Sequence, residues 1–480
     1  MDQNKFDELR EEGWDLFGLG KHMEALKAFD KAIEFDPDRA DGWSGKASTL
    51  YVLGRDEEAV QLIDKAIELD PSDRHSWRIK GWALYRLGMH EEALKVFNKA
   101  IELDPEYALS WRGKGWTLYS LGRYKDALNA FDKAIELDPN DADSWRSKAW
   151  TLHDLGRYKE SLNVFDKAIA LEPDKAVSWS DEGLVLGKLA RYKKALKALD
   201  KAISLDPDND ESWRRRGYTL YDLGRYKEAL GAFDRAIELD PDKADSWNGK
   251  GWALFTLGRL KAALKAFDKA IKLDPDNADA WRRRGWTLFH LDRYKKALKA
   301  LDKAIELDQD NADVWRVKGW ALYYLGWDKK ALSALDKAIE LDPNEADSWR
   351  GMGRVLYRLE TYEAALGALN KAIELDTDNA DAWRGKGWTL HKLDRYTEAL
   401  EVFDKAIELD PDKADVWGGR GWVLYYLGRD NEALRAFNKA TELDPDNADV
   451  WGGKGWTLYG LGRDEDATYA FKRALSIGPQ

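Results

Sequence analysis

The sequence predicts an all-α fold, a solenoid of antiparallel helix pairs stacked one on the next. Three observations predict it. Tryptophan recurs every 34 residues, at 43, 77, 111 and onward to 451. All twelve prolines occupy one position of the same frame, from Pro37 and Pro71 to Pro479. Within each period, two apolar stripes at helical spacing alternate with short breaks. A fixed period of this size means stacked supersecondary units, each burying its faces against its neighbours.

The stretch Ala108–Asp141 serves as the unit, numbered 1 to 34 from Ala108. Trp111, Gly115 and Leu118, at positions 4, 8 and 11, share one face of a first helix, A. Gly122 at position 15 ends it, as a glycine just past the last turn does. Ala127, Leu128, Phe131, Ala134 and Ile135 form a broad apolar stripe on a second helix, B. Pro139 at position 32 stops helix B. Asp141 and Asp143 fall around the next helix start, where carboxylates cap free amides. The small residues Gly115 and Ala127 allow close approach, and Trp111 and Phe131 fill the space around them. Lys114 at position 7 is expected to keep its charge in water.

These marks, Trp111, Gly115, Gly122, Ala127, Phe131, Ala134 and Pro139, resemble the tetratricopeptide repeat. The resemblance covers residues 6–480 as fourteen repeats, with 1–5 as an N-terminal extension and no internal domain boundary. It implies a right-handed α-α superhelix with helix A on the concave side. Residues 6–39 differ: Leu9 replaces the tryptophan, and Glu8, Glu11 and Glu12 suit a terminal cap. Residues 176–209 and 346–379 also depart, with Ser180, Leu184, Gly187 and Ala190 in the first and Arg354, Glu360 and Thr377 in the second. Gln309 replaces a proline and Trp327 an arginine. The terminal repeat, 448–480, carries no added capping helix. Its Phe471 and Leu475 stay apolar beside Thr468, which predicts weak homo-oligomerisation through an open C-terminal face.

Composition bounds the function. The 76 basic and 88 acidic residues give a net charge of −12, interspersed along the chain. That argues against a nucleic-acid binder driven by bulk charge. There is no cysteine, so thiol chemistry is excluded. No apolar run reaches a membrane span, and the N-terminus lacks the features of a secretory signal, which favours a cytoplasmic location. Histidines 22, 75, 90, 153, 290 and 391 are scattered and show no metal-ligand spacing. Gly-Lys pairs lack the phosphate-loop spacing, and Asp-rich steps recur as helix caps. No catalytic constellation, metal site or cofactor is expected, and the chain is expected not to be an enzyme.

Candidate binding residues lie on helix A at positions 5, 9 and 12, away from the core stripe. In the first half of the chain they are Arg78, Trp82, Tyr85; Arg112, Trp116, Tyr119; Arg146, Trp150; and Arg214, Tyr218, Tyr221. In the second half they are Trp252, Phe255; Arg282, Trp286, Phe289; Arg316, Trp320, Tyr323; and Arg384, Trp388, His391. Ten tryptophans stand at position 9, where packing alone would accept leucine, and Trp, Tyr and Arg are hot-spot residues. Aspartates such as Asp143, Asp245, Asp279 and Asp313 run alongside at position 2. The same spacing also suits packing, with Trp at 9 against the next helix A and Arg at 5 paired to Asp at 2.

The family resemblance places positions 2, 5, 9, 12 and 13 in a peptide-binding groove. Its carboxylate-holding Lys and Asn are Arg and Trp here, so chaperone-tail binding is not carried over. The expected function is a protein–protein interaction scaffold binding a peptide or protein segment with apolar and acidic residues. A self-assembling superhelix is the structural alternative. Single-stranded nucleic acid, through ladders of stacked aromatics and the clusters Arg214–Arg216 and Arg282–Arg284, is a third. Residues 176–209 and 346–379 are expected to contribute less to the groove.

Overall fold

A computed structural model describes residues 3–478, with side chains from residue 5. Met1, Asp2, Pro479 and Gln480 lie outside the described residues, so the last proline of the frame is not placed. The first helix starts at Gln3, inside the stretch expected as an extension. Among the described residues there are 28 α-helices and no strands, paired as the 34-residue frame requires. They fall into two compact units, Met1–Pro241 and Asp242–Gln480.

Within each unit, helix A runs about one residue short of helix B, as in Ala108–Ser120 followed by Tyr124–Leu137. The break between them is set by backbone chemistry. Gly122 takes φ +72°, and the amides of Gly122 and Arg123 bond back to the carbonyls of Tyr119 and Leu118, both at 2.9 Å. That closes a left-handed helix stop. The same conformation persists where glycine is absent, at Ala190, Asp292, Glu360 and Asp394 (φ 54–59°). Stacking of the repeats holds these residues in a region that side chains disfavour.

Within each unit, every helix A packs on its own helix B and, after the first, on the preceding helix B. Nearly every A helix also touches the next A helix within its unit, and successive B helices are not in comparable contact. The A face is therefore the inner, more tightly curved side of each unit.

The core residue is the aromatic or leucine at position 24. Phe131 is fully buried, and a Cβ on Gly115 would stand 2.6 Å from its ring. Position 6 of the following repeat closes the other side: a Cβ on Gly113 would lie 2.3 Å from Phe97. At these two positions glycine lets the helices close on the ring.

Two expected roles change. Trp111 is only half-buried, and its indole donates to the carbonyl of Pro105 at 2.8 Å, tying helix A to the preceding turn. The bond uses a main-chain acceptor, so it survives where the proline is lost, at Gln309 (3.0 Å) and Thr377 (2.9 Å). Asp141 stands at the N-cap but bonds Arg112 and the Ser144 hydroxyl and caps no amide, whereas Asp73 does cap His75 and Ser76.

Position 7 is also corrected. Its cation crosses the repeat interface to the aspartate at position 25 of the repeat before, as in Lys46–Asp30 and Lys148–Asp132 at 2.5 Å and Arg284–Asp268 at 2.6 Å. Where position 25 is Asn98, Asn370 or Asn438, the lysine (Lys114, Lys386, Lys454) lies over the position-4 indole. Burial then lowers its pKa.

One interface has the charge reversed. Glu182 occupies position 7 opposite Asp166, and burial, then the Asp166 charge, push its pKa up to about 7 against a weaker pull from Lys194. The protonated acid is therefore favoured on folding. The stabilisation is complete below the unfolded value near 4.5 and is lost as pH rises through about 7. Allowing for solvent screening, the swing should be about 1–2 kcal/mol. Amide exchange at the 142–175/176–209 junction, corrected for intrinsic rate, should be slower at pH 5 than at pH 8. Glu182→Gln should flatten the difference; a difference that persists in this variant would assign it to another group.

Candidate binding face on the A helices

Helix geometry puts positions 5, 9 and 12 on the inner face, and every candidate residue is found on an A helix. Most of the position-9 indoles sit edge-on to the core aromatic of their own repeat. Ring centroids are 5.4 Å apart for Trp82–Phe97, 5.9 Å for Trp116–Phe131, 6.3 Å for Trp150–Phe165 and 5.6 Å for Trp388–Phe403. Tyr218 does the same on Phe233 at 5.0 Å. One edge of these rings is thus structural.

Position 12 is more tethered. Tyr85 accepts from Ser120 at 3.2 Å, and the Tyr119 phenol donates to Asp154. Burial and that carboxylate push the Tyr119 pKa up. Tyr221 leans on Tyr226 at 5.1 Å, Phe289 on Tyr294 at 5.6 Å, and His391 on Tyr426 at 5.4 Å. Burial lowers the His391 pKa, with Lys392 adding to it and Asp394 opposing.

The arginines at position 5 are mostly engaged in ion pairs. Arg112 bonds Asp141 at 2.8 Å, Arg146 reaches Asp143 (3.7 Å) and Asp181 (3.6 Å), and Arg214 pairs with Glu211. Arg78 contacts the His75 ring nitrogen at 2.8 Å. In the second unit Arg282 pairs with Asp279. From residue 313 to 415 the pairs join into one alternating ladder. Arg316 spans Asp313 (2.9 Å) and Asp347 (2.8 Å), Arg350 spans Asp347 (3.0 Å) and Asp381 (3.7 Å), and Arg384 spans Asp381 (2.8 Å) and Asp415 (2.6 Å). The ladder stops where position 5 becomes Gly418. Burial alone would raise the Asp347 pKa, but Arg350 and Arg316 hold it below the usual carboxylate range. The basic clusters are consumed likewise: Arg215 bonds Asp181, Arg216 Asp200, Arg283 Asp279 and Arg284 Asp268. An arginine bound on both sides by carboxylates is a poor free cation for phosphate or acidic ligands.

The aromatics of the second unit form the most continuous surface. Trp252 stacks on Phe255 at 5.3 Å and approaches Trp286 at 6.1 Å. A cavity of about 300 Å³ lies among Trp286, Phe289, Trp320 and Tyr324. Trp320 is buried there (5% exposed), its indole donating to Asp347 at 2.9 Å. A neighbouring cavity of about 350 Å³ is bounded by Tyr323, Arg354, Tyr357, Leu369 and Trp388.

Several of these residues escaped the sequence pattern because they are departures from it. Position 9 is Arg354 where tryptophan is usual, and position 24 is Leu369 where phenylalanine is common. Two smaller or less planar side chains leave room, so a cavity opens in the repeat expected to contribute less. In the first unit the missed residue is Asp181, 2% exposed, which accepts from the Trp150 indole and the Arg215 guanidinium, both at 2.8 Å. Among the described residues no group of three or more His, Cys, Asp or Glu is placed to hold a metal. No described helix is long and apolar enough to cross a membrane.

Stacked helix hairpins joined by a glycine stop, with an aromatic inner face, define a helical repeat protein of the interaction-scaffold class. Models of the tetratricopeptide repeat match residues 10–74, 83–140, 112–176, 180–244, 248–312, 291–346, 316–380, 350–414 and 390–456. The chain belongs to the tetratricopeptide repeat family, whose arrays are generally non-enzymatic protein–protein interaction scaffolds. Comparison with curated protein sequences gave no match. Among solved structures, the APC/C hetero-tetramer Cut9-Hcn1 aligns at 16% identity and TM-score 0.53, over 98% of this chain and 96% of that one. This likeness shows the fold. YrrB, described as a TPR protein with an unusual peptide-binding site, aligns at 29% identity and TM-score 0.36, over 40% of this chain and 98% of its own. MamA aligns at 25% identity and TM-score 0.31, over 33% and 93%.

Proposed function

We propose that the array binds an extended protein segment on the inner face of its A helices, with the contact concentrated between Trp286 and Trp388. The observation that supports this most is the pair of cavities in that stretch, one lined by Trp320 and the other by Tyr323, whose ring centroids are 5.8 Å apart. Trp286 and Phe289 are packed on the buried core there and Trp388 on Phe403, so little entropy is lost when their free part meets a partner. The arginine row, being internally paired, orients the aromatics more than it attracts ligand. Apolar and aromatic side chains of the partner are thus the main recognised groups.

The test is selection of blocked octapeptides from a random library on the full-length protein, followed by affinity measurement. Trp286→Leu with Trp388→Leu should weaken the selected peptides about tenfold or more if the rings are anchors. Melting temperature should fall by only a few degrees, because leucine can still cover the core edge and is a good helix former. No enrichment on the parent, or unchanged affinity in a folded double variant, would overturn the reading.

The self-assembly alternative rests on a different observation. Trp456 and Leu475, half and four-fifths exposed, line an apolar hollow on the last repeat together with Phe471 and Ala474. Light scattering over a concentration series of the parent and of Phe471→Lys/Leu475→Lys separates this from a monomeric scaffold.

A further inference from the structure

Every position-5 arginine from 316 to 384 is held between carboxylates, but Arg354 on the same face is not. Arg354 projects from position 9 of helix A Ala346–Arg358, where ten other repeats carry tryptophan. Its guanidinium lies 5.8 Å from the Trp320 ring centroid and 5.6 Å from that of Tyr323. It makes no hydrogen bond or ion pair with any described residue, while its neighbours Arg350 and Arg358 pair with Asp347 and Asp328. The aromatic faces fix its direction without neutralising it.

The space in front of it is built by two departures from the usual residues and by one glycine of the regular pattern. Arginine in place of tryptophan removes a ring. Leu369 in place of phenylalanine lowers the floor, and Gly385 leaves open the wall where a Cβ would come within 3.0 Å of Leu369. The resulting cavity of about 350 Å³ is the size of one side chain with its backbone, walled by Trp388 opposite Tyr323. Asp381 also lines it, but its charge is taken by Arg384 and Arg350.

We propose that this cavity is an acidic-residue subsite: it takes an Asp or Glu side chain of the bound segment, the carboxylate pairing with Arg354 and the methylene stem lying between Tyr323 and Trp388. The inference rests on the groove-binding reading and adds to it the one position at which charge is selected. A carboxylate there receives the planar fork of a guanidinium already oriented by stacking, which suits bidentate pairing. Elsewhere on the face an acidic side chain would compete with the Asp–Arg ladder and gain little.

The test uses a positional-scanning library of blocked octapeptides, including phosphoserine, on the full-length parent, Arg354→Gln and Arg354→Trp. The tryptophan variant restores the residue common at this place in the other repeats, so it should fold while filling the cavity. The parent should prefer Asp or Glu at one position by about tenfold over Gln or Asn, a preference that weakens with added salt. Arg354→Gln should lose that preference and keep the apolar preferences at other positions, and Arg354→Trp should lose it as well. Enrichment with no acidic position in the parent overturns this subsite alone, as does an acidic preference retained in Arg354→Gln. A preference for phosphoserine more than tenfold above glutamate overturns the carboxylate assignment. No enrichment of any peptide overturns the groove reading together with it.

Discussion

Phe403→Ala should cost about 3–5 kcal/mol and open the array locally around residues 380–447, the largest effect expected from a single apolar truncation. The ring is completely buried. It is gripped by two glycines: a Cβ on Gly387 would stand 2.7 Å away and one on Gly419 2.5 Å away. Glycines have no side chain to swing into the void, so relaxation would have to move whole helices. Leucine already fills this position at Leu199, Leu301, Leu335 and Leu369, so Phe403→Leu should cost well under half as much. Coupling between repeats is nearest-neighbour, so hydrogen exchange should rise in 380–447 and stay unchanged in residues 6–209. Uniform loosening of the chain would refute that coupling. Trp388 rests on the Phe403 ring, so the alanine variant should also lose peptide affinity, which links the core to the binding face.

Most of the fold was legible because the repeat writes each interaction many times. Gly122, Phe131 and Pro139 each have a single physical job, and the period shows which side chain does it. Legibility failed where a residue's role depends on a partner in the neighbouring repeat, 16 to 31 residues away. Lys114 and Lys148 look identical in the frame, but one lacks and the other has an aspartate across the repeat interface, because position 25 is Asn98 in one case and Asp132 in the other. Arg112 and Arg316 read as groove cations, and the structure gives both to aspartates. Trp320 reads like Trp388, but it is buried by its Asp347 bond and by Arg350 above it, 4.6 Å from its ring. The cavity at Arg354 was visible only as a broken pattern. A missing tryptophan looks like a lost contact in sequence, and in space it leaves a cavity of about 350 Å³.

The same lesson in the first unit gives the other large effect. Asp181→Ala should destabilise residues 142–243 by about 3 kcal/mol, although its position shows no motif. Its carboxylate is 2% exposed and joins three successive repeats. It accepts from the Trp150 indole at 2.8 Å and from Arg215 at 2.8 Å, with Arg146 at 3.6 Å. Alanine would leave the indole donor without its acceptor and a guanidinium only 12% exposed short of one carboxylate. Glu211 still holds Arg215 at 2.7 Å, which keeps the loss at the low end for a broken buried pair. The double change Asp181→Leu with Arg215→Met should recover a large part of the stability, since removing both charges removes the desolvation cost as well. A double-mutant cycle read by chemical unfolding measures that coupling, and about 1–3 kcal/mol is expected. If Asp181→Ala costs less than about 1 kcal/mol, or the double change recovers nothing, the cluster does not hold the three repeats together. Trp150 would then be available for the proposed binding, as Trp388 is. If the cluster holds, Trp150 is committed to the architecture, and binding in this unit falls to Trp82, Trp116 and Tyr218.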